Sequence, residues 1–388
     1  MSQPIRVGVI GAGMAGQAHA FGYRNAMMTP AADIDVELVA IADPNLALAQ
    51  SVAHRYGFTE AVSDVDAFIA RDDIDVVSVA LPNFLHAEVL PKVIASGKHL
   101  FAEKPIGTTA EESARLQALA EASTAVTGVG FSFRRLPGLA ALAAAVRDGR
   151  LGEIHTVRGW YYADYAADPA GALSWRYSQQ QSGGGALLDI GAHAIDALHF
   201  VAGPITEVLN ATLRTVITER PVPAKGTIGH GASASTETGS VTNDDTALLS
   251  VEFASGAVGQ IALSRIASGT PNSLGVEIIG SRGSAKFDSI SSGEFHIFEN
   301  SGSDSAYNGA RRVFTGPEHP YFAEVAAMPG AGVGTGYAEA FTAEIQEFLR
   351  CVAAGRPMDT DFATATQMMG VVHAALQSAA SGTRAKIA

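Results

Sequence analysis

Val7-Gly8-Val9-Ile10-Gly11-Ala12-Gly13-Met14-Ala15-Gly16-Gln17-Ala18-His19-Ala20 leads an apolar strand into a helix through three glycines. Gly11 permits the tight turn, Gly13 lets a pyrophosphate approach the backbone, and Gly16 lets the helix lie close on the strand. An anion would then meet the free N–H groups of a helix N-terminus, where Met14 and Ala15 stand. Glycines also mark ordinary turns, so the flanking chain decides. A buried-type strand from Ile5 to Ile10 precedes the turn and a helical stretch from Met14 to about Met27 follows it, which is the context a dinucleotide grip needs.

From Ile5 to about Gly128, apolar strands alternate with helical patterns, which predicts a doubly wound parallel sheet with crossover helices. Strand two, Val36 to Ala42, ends at Asp43, 27 positions after Gly16. The usual interval is roughly 20, and the polar insert from Thr29 to Asp35 accounts for the excess. A carboxylate there accepts both adenosine ribose hydroxyls and repels a 2′-phosphate; Pro44-Asn45-Leu46 follows with no arginine. NAD is therefore favoured over NADP. The plainer reading of Asp43 is a carboxylate at a helix N-terminus.

Strand four, Val76 to Leu81, runs into Pro82-Asn83-Phe84-Leu85-His86, and strand five, Lys98 to Ala102, runs into Glu103-Lys104-Pro105. Ligands bind outside the carboxyl ends of such strands, so Pro82, Asn83, His86, Glu103 and Lys104 are expected at the cofactor. Lys104 would stand beside the nicotinamide as a proton carrier, against the alternative of a surface lysine paired with an acid.

The bulk numbers agree with a two-domain enzyme. The chain has 388 residues, more than one hydrophobic core usually serves. A net charge of −13 and the lack of a basic cluster argue against nucleic-acid and anionic-membrane partners. Although 47% of residues are apolar, no run approaches the roughly 18 uninterrupted apolar residues of a membrane helix. Cys351 stands alone in a helical pattern and reads as a core filler, so neither internal disulfides nor thiolate zinc sites are available. The first strand starts by Ile5, leaving no room for a leader, and a cytoplasmic location is expected.

A second constellation follows. Gly183-Gly184-Gly185 leads into a helical run from Ala186 to Phe200, in which Asp189 and His193 are four residues apart and share a face. A carboxylate beside an imidazole fixes its tautomer, as general acid-base work requires. His193 would take the hydroxyl proton of a secondary alcohol as hydride leaves, Asp189 would orient substrate or imidazole, and Lys104 would polarise the hydroxyl. The alternative is a buried structural pair. No metal is expected, because the ligands on this one helix lack a partner group at recognisable spacing, and His199 reads as structural.

These motifs together, the Gly11 to Gly16 turn, Asp43, "Ala-Ser-Gly-Lys-His-Leu-Phe-Ala-Glu-Lys-Pro" (95–105) and "Gly-Gly-Gly-Ala-Leu-Leu-Asp-Ile-Gly-Ala-His" (183–193), resemble the Gfo/Idh/MocA oxidoreductases across the whole chain. The resemblance implies a Rossmann domain (1–127) and an α+β substrate-binding and oligomerisation domain (128–388) built on a large open mixed sheet. It implies nicotinamide-dependent oxidation of a sugar or polyol, with Lys104 touching both substrate and nicotinamide. Phe131 to Pro137 resembles the family's crossover segment and brings Arg134 toward substrate, although Ser132 stands where the family commonly has asparagine.

By the same resemblance Trp175-Arg176 approaches the cofactor, with local packing as the alternative, while His319 and Tyr337 reach a cyclic polyol or anhydrosugar. Glu219 to Asp245 reads as a Gly/Ser/Thr-rich loop, and the sheet's open face as the place where a homodimer or homotetramer forms. Two other activities stay open: an enzyme that retains NAD and works by transient oxidation, and a non-catalytic NAD-dependent sugar sensor.

Overall fold

The computed structural model describes residues 4–28, 34–223, 234–300, 306 and 308–387. Two compact units divide them: Met1–Pro137 with Thr315–Thr366, and Gly138–Phe314 with Gln367–Ala388. In the first, β1 (Ile5–Ile10), β2 (Val36–Ala42), β3 (Glu60–Val62), β4 (Val76–Val79), β5 (His99–Ala102) and β6 (Thr127–Val129) form one sheet, ordered β3-β2-β1-β4-β5-β6. Every pairing is parallel. Of its inner strands β4 is buried throughout and β2 at every position but Glu37, as a sheet covered on both faces requires. The crossovers are α1 (Met14–Ala26), α2 (Leu46–Tyr56), α3 (Val65–Ile69), α4 (Asn83–Ala95) and α5 (Ala110–Glu121). Strand order reverses between β1 and β4, so the crevice used by dinucleotides in this topology lies at their carboxyl ends.

The unit runs past the 127/128 position and takes in a much later segment. The helix Tyr337–Ala354 packs Ile345, Phe348 and Leu349 into one core with Val7, Tyr23, Leu38 and Phe101. Gly22 permits that approach, since a Cβ there would meet Ile345 Cγ1 at 2.9 Å and the Phe341 carbonyl at 3.1 Å. Gln346 Nε2 donates to the Ala26 carbonyl at 3.0 Å. Cys351 is part of this core, and burial pushes its thiol up to about 11.

The second unit holds α6 (Pro137–Arg147), β7 (Ile154–Ala163), α7 (Gln179–Ser182), α8 (Ala186–Asp189), α9 (Gly191–Ala202) and β8 (Ile205–Arg214). β9 (Glu219–Pro223), β10 (Ala234–Ser240), β11 (Thr246–Phe253), β12 (Val258–Ser264) and β13 (Asn272–Gly280) follow. β14 (Gly283–Asp288), β15 (Glu294–Glu299), β16 (Arg311–Phe314) and β17 (Ala385–Lys386) complete it. Nine of these strands form one sheet in the order β16-β15-β14-β13-β7-β12-β11-β8-β17. β7 and β12 pair in parallel and the other neighbours antiparallel, which is the mixed sheet expected. Period-two burial gives it one inner face: Ala247, Leu249, Val251 and Phe253 are buried while Leu248 between them is exposed. α9 seats Leu198 against Gly159, where a Cβ would lie 2.8 Å from Leu198 Cδ1.

Two expectations change. The segment from Glu219 to Asp245 is not a loop at its ends: β9 and β10 pair antiparallel, and residues 224–233 lie outside the described residues. The helical run after Gly185 is two helices, α8 and α9, broken at Ile190 and bent by 45° when measured from Gln179. Among the described residues no single helix is long and apolar enough to cross a membrane.

A buried ion pair anchors this unit. Arg265 and Asp245 are both fully buried, with Nε 2.9 Å from Oδ1, while Asp245 Oδ2 accepts the Val216 and Ile217 N–H groups at 2.8 Å. Removing one member of such a pair strands a charge in the interior. Arg265→Met is expected to lower unfolding stability by about 3–5 kcal/mol, measured by urea denaturation followed by fluorescence.

Candidate active-site residues

The first unit carries the glycine turn. Gly11 has φ +101°, a conformation that disfavours any side chain, and its N–H donates to the Ala42 carbonyl at 2.8 Å. At Gly16 a Cβ would stand 1.8 Å from the Gly11 carbonyl oxygen, so α1 can lie this close only as glycine. Gly13 differs, because a Cβ there would meet no protein atom within 4 Å. It also caps α1 without a side-chain bond, leaving the first-turn N–H groups for an anion. Met14 beside it is 76% exposed.

Asp43 faces the same turn. Its Oδ2 accepts the Ala12 N–H at 2.9 Å and its Oδ1 the Asn45 N–H at 2.8 Å. Each oxygen retains a lone pair for a ribose hydroxyl. The cap of α2 is Asn45, whose side chain accepts from Leu48 N at 3.2 Å, so Asp43 is not held in place by that role. A cleft of about 500 Å³ opens at the carboxyl ends of β2, β3 and β4, lined by Pro44, Ser63, Leu81, Leu85 and Val89. Lys92 on its wall is paired with Asp66 at 2.8 Å and Glu88 at 3.2 Å, and the acidic lining suits an adenosine without a 2′-phosphate. These features fit NAD.

Lys104 follows β5, and its N–H donates to Glu103 Oε2 at 3.1 Å. Glu103 Oε1 lies 3.0 Å from Nε2 of His19, a fully buried histidine on α1 that the motif reading passed over. Asn83 is nearly buried at the start of α4 behind Pro82. His86 was expected at the cofactor; its imidazole is fully buried, with Nδ1 2.7 Å from the Pro105 carbonyl oxygen. Burial pushes its pKa below the ordinary histidine value, against the pull of that carbonyl and of Glu103. Arg134 is nearly buried in the turn Ser132–Arg135. Its neighbour Arg135 pairs with Asp359 and donates to the Tyr321 hydroxyl at 2.6 Å. Burial works against the Asp359 charge, but Arg135 outweighs it and holds that carboxyl below its usual range. Tyr321, at φ +62°, opens a short helical turn. His319 closes its own turn by accepting the Gly316 N–H at 3.1 Å, and Tyr337, 42% exposed, sits 5.2 Å from the Phe133 ring.

In the second unit the triple glycine is explained by Asn243-Asp244-Asp245. A Cβ at Gly185 would stand 1.8 Å from the Asp244 carbonyl oxygen, so the close approach there is to protein backbone. Asp244 accepts the Gly185 N–H at 2.9 Å and the Leu187 N–H at 2.8 Å, capping α8. Burial raises its pKa despite those bonds. Asn243 Nδ2 donates to Ser182 Oγ at 2.9 Å and to the Gly184 and Arg176 carbonyls at 3.1 and 2.8 Å.

α8, so fixed, ends in Asp189, whose Oδ2 accepts the Tyr165 hydroxyl at 2.5 Å. Burial of that hydroxyl and the Asp189 charge push the phenol well above its ordinary pKa, which keeps it a donor. His193, 8% exposed on α9, has its ring 6.1 Å from that of Tyr161. Trp175 and Arg176 stack on each other, with Cζ 4.4 Å from the ring centroid. Tyr165, Asn243 and Asp244 had no motif to announce them; three consecutive polar residues opening a buried strand were the available signal.

Comparison with known proteins decides the family. Residues 5–131 match the oxidoreductase family with an NAD-binding Rossmann fold, and residues 139–286 match the GFO/IDH/MocA C-terminal domain. The chain belongs to the Gfo/Idh/MocA oxidoreductase family. This member is 36% identical over 383 residues to a levoglucosan dehydrogenase of Pseudarthrobacter phenanthrenivorans, covering 97% of each chain. Solved structures of levoglucosan dehydrogenase with NADH, and with NADH and levoglucosan, superpose with TM-scores of 0.92 at 34% identity. The first alignment covers 100% of both chains, the second 99% of this one and 100% of the other. As a family member the chain is an NAD-binding oxidoreductase of the kind that acts on CH–OH groups, and its relatives include a D-glucoside 3-dehydrogenase of Escherichia coli and an inositol 2-dehydrogenase of Rhizobium meliloti.

The two glycines separate packing from cofactor binding. Gly16→Ala is expected to cost about 4 kcal/mol or more, the range of a backbone clash in a core. Gly13→Ala is expected to hold stability within about 0.5 kcal/mol while weakening NADH at least tenfold, roughly 1.4 kcal/mol. Thermal unfolding and NADH fluorescence titration read the two effects.

Proposed function

We propose that this enzyme oxidises a secondary hydroxyl of a pyranose-type sugar, with an anhydrosugar such as levoglucosan first among the candidates, followed by cyclitols. The observation that carries the reading is the match to levoglucosan dehydrogenase along 97% of both chains, which includes the substrate-bearing half. Asp43, each of whose oxygens keeps a lone pair for a ribose hydroxyl, and the acidic cleft support NAD over NADP as the working cofactor.

In this reading Lys104 donates to the substrate hydroxyl oxygen and polarises it. His193 accepts the hydroxyl proton, and Asp189, held by Tyr165, orients substrate and imidazole. NAD, when bound, supplies the hydride acceptor at its nicotinamide ring. The carbon gives up its hydrogen with both bonding electrons, the oxygen gives up its proton, and a carbonyl is left. In the other direction the same groups protonate a ketone. The turn at Gly11, Gly13, Met14 and Ala15 would hold the pyrophosphate, and Pro82, Asn83, Glu103, Trp175 and Arg176 would line the rest of the cofactor site. Arg134, His319 and Tyr337 would read the sugar's other hydroxyls.

The functional division we propose is 1–127 for the cofactor and 128–388 for substrate and self-association in the cytoplasm. Leu248, Val258 and Ile279, exposed by 58%, 49% and 42% on one sheet face, support a homodimer or homotetramer through that face.

The test is NADH formation, followed by its absorbance, from a panel of levoglucosan, glucosides and inositols with NAD or NADP. Lys104→Ala and His193→Ala are each expected to lower kcat roughly 10²-fold or more with NADH binding retained. Unchanged turnover in either variant removes that residue from the chemistry, and no NADH from any member of the panel removes the reading.

A further inference from the structure

The Glu103-Lys104-Pro105 turn is gripped on both sides by buried imidazoles that the chemistry above does not use. On one side stands His19, 0% exposed, with its ring between Phe101 and Phe341 at centroid distances of 5.2 and 6.2 Å. Its Nδ1 is 2.7 Å from Ser78 Oγ and its Nε2 is 3.0 Å from Glu103 Oε1. A carboxylate only accepts, so Nε2 carries the proton of that contact. The Glu103 carboxylate is further confined by Gly130, where a Cβ would stand 3.2 Å from Oε1. Its second oxygen receives the Lys104 N–H. On the other side His86 approaches the Pro105 carbonyl, which also only accepts, so Nδ1 carries that proton.

We infer that His19 and His86 are positioning residues for Lys104: His19 locks Glu103 onto the Lys104 N–H, and His86 fixes the Pro105 carbonyl, so that the turn has one orientation. The chain of contacts starts on α1, the helix of the glycine turn, and ends at the lysine. A cofactor-binding helix and a substrate-facing side chain are thereby held in register through two side-chain hydrogen bonds. Losing His19 removes one donor from a largely buried carboxylate, whose orientation toward the Lys104 N–H then changes. Displacements of about 1 Å in a reacting group cost on the order of 10²-fold in rate.

This inference rests on the proposed role of Lys104, and its test has a readout that does not. His19→Phe and His86→Phe keep ring volume and remove the donors. His19→Gln and His86→Asn return an amide N–H near Nε2 and Nδ1 respectively. The Phe variants are expected to lower kcat by about tenfold or more with the sugar KM and NADH affinity within about threefold, and the amide variants to recover most of that loss. In all four proteins the acylation rate of Lys104, mapped by peptide mass spectrometry, is expected to change at least threefold in the Phe variants and to return in the amide variants.

Equal kcat and equal Lys104 labelling in wild type and Phe variants would overturn the inference. So would losses that the amide variants share in full, since that pattern belongs to a merely structural histidine. If His19→Phe does not fold, Glu103→Gln reads the same link, because its amide turns a donor toward the Lys104 N–H; unchanged labelling there also overturns it. If wild type oxidises no sugar, the functional reading falls, while the labelling still decides whether the histidines set the turn.

Discussion

The approach of one helix to one carbonyl governs the cofactor half of this protein. α1 lies so close to the end of β1 that the Gly16 Cα leaves no room for a methyl group beside the Gly11 oxygen. That closeness aims the uncapped N-terminus of α1 at the carboxyl edge of the sheet, where an anion gains from N–H groups and dipole together. It also brings the underside of the helix near β4 and β5, so that His19 reaches Ser78 and Glu103. The glycine turn and the Glu103-Lys104-Pro105 turn are consequently parts of one packed arrangement. Gly22, further along the same helix, admits Ile345 and so recruits the helix Tyr337–Ala354 to this unit.

The second unit solves a related problem with charge. Asp189 and His193 need a fixed backbone, and the glycine-rich chain before them cannot provide one alone. Asn243-Asp244-Asp245 provides it from the start of β11. Asp244 caps α8, Asn243 ties the turn to the Trp175-Arg176 segment, and Asp245 is neutralised by Arg265 in the interior. Arg265 and Arg220 also both stack on the Tyr177 ring, with Cζ at 4.8 and 4.2 Å from its centroid. Desolvated charges of this kind specify one arrangement only while every partner is present.

Local signals were enough for the Rossmann strands and the conformation of the glycine turn, because each is encoded by residues within one βα unit. The same holds for the period-two strands of the large sheet. What escaped was encoded at a distance. The start of α8 is fixed by a cap supplied by Asp244, more than fifty residues later. The contact of His86 with the Pro105 carbonyl and that of His19 with Glu103 join residues far apart in the chain, and neither had a local signal. The β9–β10 pairing hides in a Gly/Ser/Thr-rich composition that resembles a loop, since its strands carry little apolar alternation. Tyr165 became visible only with its hydroxyl on Asp189.

The account comes down to a hydride moving from a sugar carbon to the nicotinamide. The most direct measurement is label transfer: levoglucosan or another sugar that the enzyme turns over, carrying deuterium at the oxidised carbon, incubated with NAD and followed by mass spectrometry and NMR of the reduced cofactor. The account predicts one deuterium at C4 of the nicotinamide for each ketone formed, with slower turnover of the labelled sugar. Ketone formation with unlabelled NADH, or release of the deuterium to water, would contradict it.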